Sequence, residues 1–352
     1  VNIAEIARRA GVSRSTVSYA LSGKRAVSEA TRRRILQVID DVGYRPNASA
    51  RALAEGRTRT IGLVIPPAGR RLNPIQLGFV ADVVAAAGSR ELDVVLSPSG
   101  GEHDRSFERI ISGRRVDGVI LMEVRLRDAR ADRLRRSGLP FVAIGHTAGA
   151  GTGTATGTWV DLDYEGLVAS CVHHLADLGH RTIALLNRPQ EYLDSGYGPA
   201  RRALDGFNAA AAARSLTATA FCSPDDATAA ETRTYDLLAA HPQVTGIVTI
   251  NEAALPGLER ALWRSGRAVP RQFSVIGIVG RHWAEAFHPP LTAADVPVSD
   301  MAERAVGLLA ERMVHPGTPA RHVLLTRPVS LRASTAPPAC SPIGSSSPRP
   351  PT

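Results

Sequence analysis

Cysteine is scarce in this 352-residue chain: Cys171, Cys222 and Cys340 are far apart and show no CxxC spacing. Such usage supplies neither a disulfide framework nor a zinc site. Also lacking is a charge-free apolar stretch of about 20 residues, the length that a membrane-crossing helix needs. No signal peptide precedes the first predicted helix. The expectation is a soluble, cytoplasmic protein without membrane association.

Signatures of catalysis are missing too. GAGTGTATGT (Gly149 to Thr158) is rich in glycine but has neither the Lys of a P-loop nor a strand–GxGxxG–helix arrangement, so it reads as a flexible loop. The histidines show no HExxH or comparable metal spacing, and the adjacent His173 and His174 point in different directions on a helix. No nucleophile and base assembly is recognisable. The chain is therefore expected to be no enzyme, with no catalytic residue, metal ligand or cofactor.

What is present is positive charge, unevenly placed. The net charge is +9; residues 1–60 hold eleven Arg and one Lys against five acidic residues, which leaves only +2 for the other 292. A basic segment on a nearly neutral body points to a local polyanion contact. Ribosome-like or membrane-surface binding competes for that reading until the motifs are considered.

NIAEIARRAG predicts a helix capped by Asn2, with Ile3, Ile6, Ala7 and Ala10 on one face and Gly11 permitting a sharp exit. Val12 fills the corner. Ser13 caps a second helix running through Leu21, whose inward face is Val17, Ala20 and Leu21. Ser28 caps a third, with Ile35, Val38, Ile39 and Val42 inward and Gly43 as its stop. Two helices joined at a glycine turn match a helix-turn-helix, and three close one miniature core.

The second helix then has an open face that fits a major groove. Arg14 donates to guanine, Tyr19 offers ring and hydroxyl, and Ser15 accepts or donates, which makes these the candidate base contacts. Ser13, Thr16 and Ser18 suit phosphate oxygens, which position a module without specifying sequence. In YRPNASARALAEGRTRTIG, Pro46 interrupts helix three, Asn47 caps a short helix, and Gly56 ends it. So short a helix is expected to order only against DNA or a partner copy. Leu53 would act there as a minor-groove wedge.

TVSYALSG, followed by VSEATRRRILQVIDDVGYRPNASARALAEGRTRTIGLV, resembles the N-terminal region of the lactose repressor family of bacterial transcription regulators, and the resemblance runs over roughly residues 1–335. It implies binding to pseudo-palindromic double-stranded operator DNA as a homodimer, with Arg14, Ser15 and Tyr19 at the base-contacting positions. Ala50 and Leu53 match hinge positions in the minor groove, Leu53 being the intercalating one. The implied fold class is α/β: a three-helix DNA-binding headpiece with hinge helix, then two Rossmann-like parallel-sheet lobes of periplasmic-binding-protein type.

The residues beyond the hinge read the same way. TIGLVIPP, LDVVLSP, VDGVILME and LPFVAIG are strands between helical stretches, and HRTIALLN, TATAFCS, VTGIVTI and FSVIGIV form a second series. Alternating strands and helices imply parallel sheets covered on both faces, with a crevice between two lobes. Chain crossings are expected near 158–166 and 289–298. The domains are placed at 1–45 (headpiece), 46–58 (hinge helix and linker), 59–335 (two-lobed effector-binding and dimerisation domain) and 336–352 (a disordered Ser/Pro-rich tail). His180 reads as a packed or cap-region histidine. No leucine heptad extends beyond the last strand, so a tetramer through a terminal coiled coil is not expected.

Against the family pattern the effector crevice departs. The resemblance leads one to expect an Arg on a lobe-two helix where ARRALDGF has Ala203, and an Asp where SVIGIVG has Val279. Cys222 stands at a stacking aromatic's position. Asn251 and Asp163 match polar positions, and Asn73, Ile75 and Gln76 belong to the lobe-one wall. Arg281, His282 and Trp283 offer replacement groups or belong to the lobe surface. Losing two polar anchors leaves three readings open: a monosaccharide effector, an effector of atypical chemistry, or repression without an effector. A periplasmic-type small-molecule binding module without gene-regulatory activity is the alternative for the whole chain, and it leaves the basic headpiece unexplained.

Overall fold

The computed structural model describes residues 2–22, 25–43, 56–66, 72–99, 104–113, 115–149 and 157–339. The hinge residues Asn47, Ala50 and Leu53 lie outside the described residues, as do residues 150–156 of the glycine-rich tract and residues 340–352 of the expected tail.

Three helices form the headpiece: α1 (Ile3–Ala10), α2 (Arg14–Ser22) and α3 (Glu29–Asp41). Asn2 Oδ1 accepts from the Glu5 N–H at 3.0 Å, Ser13 Oγ from the Thr16 N–H at 3.1 Å and Ser28 Oγ from the Thr31 N–H at 3.3 Å, so all three expected headpiece caps are made. Gly11 turns the chain from α1 to α2 at φ 65°, a left-handed conformation that a side chain would resist. Ile6, Ala7, Ala10, Val17, Ala20 and Ile35 close the core, with Ile3, Val12, Val38, Ile39 and Val42 around it.

Leu21 corrects the expectation. It is 36% exposed. With about 3.6 residues per turn, Val17 and Ala20 define the buried face, and Leu21 falls on its flank beside Arg14.

The first lobe lays down β1 (Thr60–Ile65), β2 (Asp93–Pro98), β3 (Gly118–Leu121), β4 (Phe141–Ile144) and β5 (Thr158–Leu162). The chain crosses to the second lobe for β6 (Thr182–Asn187), β7 (Thr217–Cys222), β8 (Gly246–Thr249), β9 (Ser274–Val279) and β10 (Thr292–Asp295). It returns through helix Val298–Val314 to β11 (His322–Leu325) in lobe one, then ends in lobe two with β12 (Val329–Ser330). The sheets run β11-β5-β4-β3-β1-β2 and β12-β10-β9-β8-β6-β7. Every pair is parallel except β10 with β12.

Both sheets are covered on both faces. All of β3 and β9 is buried, as near-continuous apolar runs in parallel strands require. In lobe one, Ile61, Leu63 and Ile120 pack beneath helices 74–88 and 298–314, while Val64, Val119 and Leu121 face helices 105–112 and 129–137. The segments joining the lobes lie at 162–164, 295–298 and 325–329; the third was not anticipated from the sequence.

His180 is packed, as its sequence context suggests. It is 1% exposed, with Nδ1 at 2.8 Å from Thr245 Oγ1 and Nε2 at 3.0 Å from both Ser274 Oγ and the Ala336 carbonyl. The Ala336 N–H also donates to Ser274 Oγ at 3.0 Å, so fixed structure passes the limit of 335 placed on the body. Among the described residues, no helix is long and apolar enough to cross a membrane, and no three or more His, Cys, Asp or Glu are grouped to hold a metal.

Candidate functional site

Two surfaces collect polar groups. On the headpiece, burial of Val17 and Ala20 turns Ser15, Ser18 and Tyr19 to the opposite side of α2, with Arg14 at its edge. Arg14 and Ser15 are exposed, and Arg14 makes no hydrogen bond or ion pair among the described residues. Ser18, expected at a phosphate, lies on the helix surface between Arg14 and Ser15. Ser13 Oγ accepts from the Thr16 N–H at 3.1 Å and lies 2.7 Å from Ser15 Oγ and 2.8 Å from Thr16 Oγ1. Three hydroxyls thus gather where α2 presents its free N–H groups, an arrangement suited to a phosphate.

Charge surrounds this face. Arg25 lies over the Tyr19 ring, 5.3 Å from its centroid, and Arg32, Arg33 and Arg34 are exposed on α3. Arg8 and Arg9 are differently employed: their hydrogen bonds to Glu5 pull its carboxyl down to about 2.

The second surface is the crevice, where the C-terminal ends of the strands in both sheets meet. In lobe two, β6 pairs with β8 (Leu186 with Thr249), which brings Asn187 and Arg188 beside Asn251 and Glu252. β7 lies on the other side of β6, so this is the point where strand order reverses, the usual place for a ligand in an open α/β sheet. Arg188 Nη2 lies 3.3 Å from Glu252 Oε1, and Nη1 lies 3.6 Å from Asp225 Oδ1. Burial works against the charge on Arg188, but the Glu252 and Asp225 carboxylates outweigh it and its pKa rises. Burial raises that of Glu252, with Arg188 opposing. Asn251 Nδ2 donates to the Ser223 carbonyl at 3.1 Å, whereas its Oδ1 and Arg188 Nη1 are buried without a hydrogen-bond partner among the described residues.

Several sequence-derived crevice residues cap helices, Gln76 through its Oε1 alone. Asn73 and Gln76 close a reciprocal cap on helix 74–88, at 2.9 and 2.8 Å. Asp163 caps helix 164–177 through the Gly166 N–H at 2.9 Å. Val279 contradicts its assignment to the crevice: it is fully buried with Val275, Ala284 and Phe287, because alternation along β9 turns it into the layer beneath helices 227–240 and 255–264. Ala203, at the expected Arg position, is likewise core.

The remaining candidates line separate spaces. Cys222 borders a cavity of about 490 Å³ with Gln190, Glu191 and Arg233, and partial burial raises its thiol pKa. Ile75 lines a groove of about 700 Å³ between the lobes, with Trp283 opposite and Arg281 paired to Asp295 at 3.2 Å. Cys222 and Ile75 are therefore not brought together.

Arg188, Glu252, Glu123, Tyr192 and Arg202 were missed as crevice residues. Tyr192 Oη donates to Glu123 Oε1 at 2.9 Å, and Gln76 Nε2 donates to the same oxygen at 2.5 Å. Glu123 is held at φ 52°, a conformation that costs an ordinary residue energy and often marks a functional position. The one available signal was placement: Arg188, Glu123 and Glu252 are charged residues just past apolar strands.

Comparison with known proteins bears on both surfaces. A model of bacterial regulatory proteins of the lacI family matches residues 2–47, and one of a periplasmic binding protein-like domain matches residues 172–335. The HTH-type transcriptional regulator CelR of Thermobifida fusca is 32% identical over 331 residues, covering 91% of this chain and 94% of that protein. A transcriptional regulator CelR–cellobiose complex superposes with a TM-score of 0.69 at 27% identity, over 95% of this chain and 99% of that one. A lac repressor dimer bound to operator and the anti-inducer ONPF gives a TM-score of 0.81 at 22% identity, over 96% and 99%.

Proposed function

The chain belongs to the lacI family of bacterial regulatory proteins, and from that membership we propose how its own residues read an operator and receive a signal. It is a sequence-specific DNA-binding transcriptional regulator, an effector-responsive repressor that acts as a homodimer and performs no catalysis. The observation that carries the residue assignments is the free face of α2, standing clear of a closed miniature core on the most basic part of the chain.

In this reading Arg14, Ser15, Ser18 and Tyr19 enter the major groove and read base edges. Ser13, Thr16 and the amides at the start of α2 take a phosphate and fix the register. Arg25 and Arg32–Arg34 supply nonspecific attraction. Leu77, Ala81, Val84 and Gly88 form an exposed apolar stripe along helix 74–88, and the edge strand β2 exposes Leu96 on the same side of the sheet. A second copy covering this surface would set the two headpieces on two half-sites.

The effector enters the crevice, and its anchors are Arg188, Asn251 and Glu252 rather than the expected Arg and Asp. Arg188 Nη1 offers a donor and Asn251 Oδ1 an acceptor, both lacking hydrogen-bond partners among the described residues. A small polar molecule with adjacent donor and acceptor groups would satisfy them, which makes the chemistry of recognition atypical for the family. Cellobiose, present in the CelR complex, is a reasonable first probe.

Selection of the intact protein against randomised duplexes, followed by footprinting, tests this. The expected result is a short dyad protected on both halves, and sequence-blind binding would reject the assigned base contacts.

A further inference from the structure

The crevice is bridged by the chain itself. At one lip the Leu126 N–H donates to the Gly196 carbonyl at 2.8 Å and the Gly198 N–H donates to the Val124 carbonyl at 3.2 Å, an isolated antiparallel bridge between Arg125 of lobe one and Tyr197 of lobe two. Behind it Arg202, from lobe two, places Nη1 3.3 Å from Asp161 Oδ2 and donates from Nη2 to the His146 carbonyl at 2.7 Å. Both side chains are largely buried, at 12% and 3% exposure. A third tie is Tyr192 to Glu123, which Gln76 holds from behind.

We propose that these contacts are a built-in latch, centred on Arg202, that holds the two lobes together across the crevice without help from a ligand. The proposal rests on the crevice being the effector site. Charge-assisted hydrogen bonds are about twice as strong as neutral ones, and here they join groups already withdrawn from water. With Ala203 and Val279 both in the core, two positions expected to grip a ligand across the crevice cannot do so. The latch supplies the bridging that a ligand would otherwise supply. An effector reaching Arg188 and Asn251 must part the lip and therefore favours the loosened arrangement; one that left every latch contact in place would shift nothing.

Gly198 offers a way to break the latch without removing a charge. A Cβ there would lie 2.5 Å from Arg202 Nη1 and 3.5 Å from the Val124 carbonyl, so Gly198→Ala displaces the guanidinium tip while keeping a good helix former at the helix start.

Amide hydrogen exchange on the intact, ligand-free and DNA-free protein is the test. In the wild type the Leu126 and Gly198 amides should be protected. In Arg202→Gln and in Gly198→Ala, Leu126 should exchange roughly tenfold faster while β6 amides keep their protection. The exposed neighbour substitution Arg201→Gln should leave Leu126 unchanged. A wild-type Leu126 amide that exchanges at the rate of unstructured chain would overturn the latch, as would unchanged protection in Gly198→Ala, whether or not Arg202→Gln folds. Absence of any small-molecule binding at Arg188 and Asn251 by calorimetry would strike the effector-site reading and leave these ligand-free amide rates untouched, so the two failures are distinguishable.

Discussion

The headpiece and the crevice spend their polar groups in opposite ways. On α2, Arg14 and Ser15 stand in solvent, and their neighbours bond only locally. In the crevice, Arg202, Asp161, Glu123, Tyr192 and Gln76 bond to one another across two lobes. A surface that reads a rigid partner keeps its donors free and relies on a small core to aim them. A surface that changes shape can engage its groups internally, so that a ligand acts by competing with them.

The comparison can be broken first at the subunit surface, where the largest effect is expected. Val84→Asp on the apolar stripe of helix 74–88 should give a monomer by analytical ultracentrifugation and lower operator affinity roughly hundredfold, since two linked headpieces lose their mutual effective concentration. A dimer that persisted would move the interface elsewhere.

Next is the headpiece core. Ile35 is fully buried in a cluster of six, so Ile35→Ala should cost about 2–5 kcal/mol, enough to unfold so small a module. Calorimetry should then show the body's transition unchanged and the headpiece's lost. One shifted transition for the whole chain would mean that the two regions are not independent.

Arg14→Ala sharpens the contrast between free and engaged groups. Because Arg14 is exposed and makes no hydrogen bond or ion pair among the described residues, its loss should cost about 1–3 kcal/mol of base discrimination with little change in melting temperature. Equal losses on operator and random duplexes would make it a phosphate contact.

The smallest effect belongs to His180. Burial lowers its pKa from the ordinary 6.5, so the folded ring refuses a proton that the unfolded chain accepts. Its stabilising contribution is complete above pH 6.5 and is lost as pH falls from there towards the lowered folded value, at no more than about 1.4 kcal/mol per pH unit. His180→Gln should flatten the body's melting temperature between pH 7 and 5, apart from a share left by His174, which burial lowers in the same direction. An unaltered slope would contradict the assignment.

The headpiece was legible because everything that determines it is local: caps at Asn2, Ser13 and Ser28, a glycine turn, and apolar spacing within each helix. Leu21 escaped because its angle on the helix is a flank that spacing alone does not resolve. The alternation of strands and helices was equally plain, whereas β5 and β10 fall inside the stretches read as crossings, and β11 and β12 follow the last helix without a further helix to set them off. The crevice was read least well. Its contacts join residues 47, 69 and 41 positions apart, a juxtaposition that only the folded chain creates. Val279 misled because a strand-end position says nothing about which face its side chain takes, and Asn73 and Asp163 because a polar residue before a helix serves its cap first.

The most direct measurement is a titration of the intact protein against two duplexes, one carrying the full selected dyad and one with a single half scrambled. Two headpieces aimed by one dimeric body predict affinity at least roughly a hundredfold higher for the full dyad. Equal affinity for the two duplexes would contradict the account.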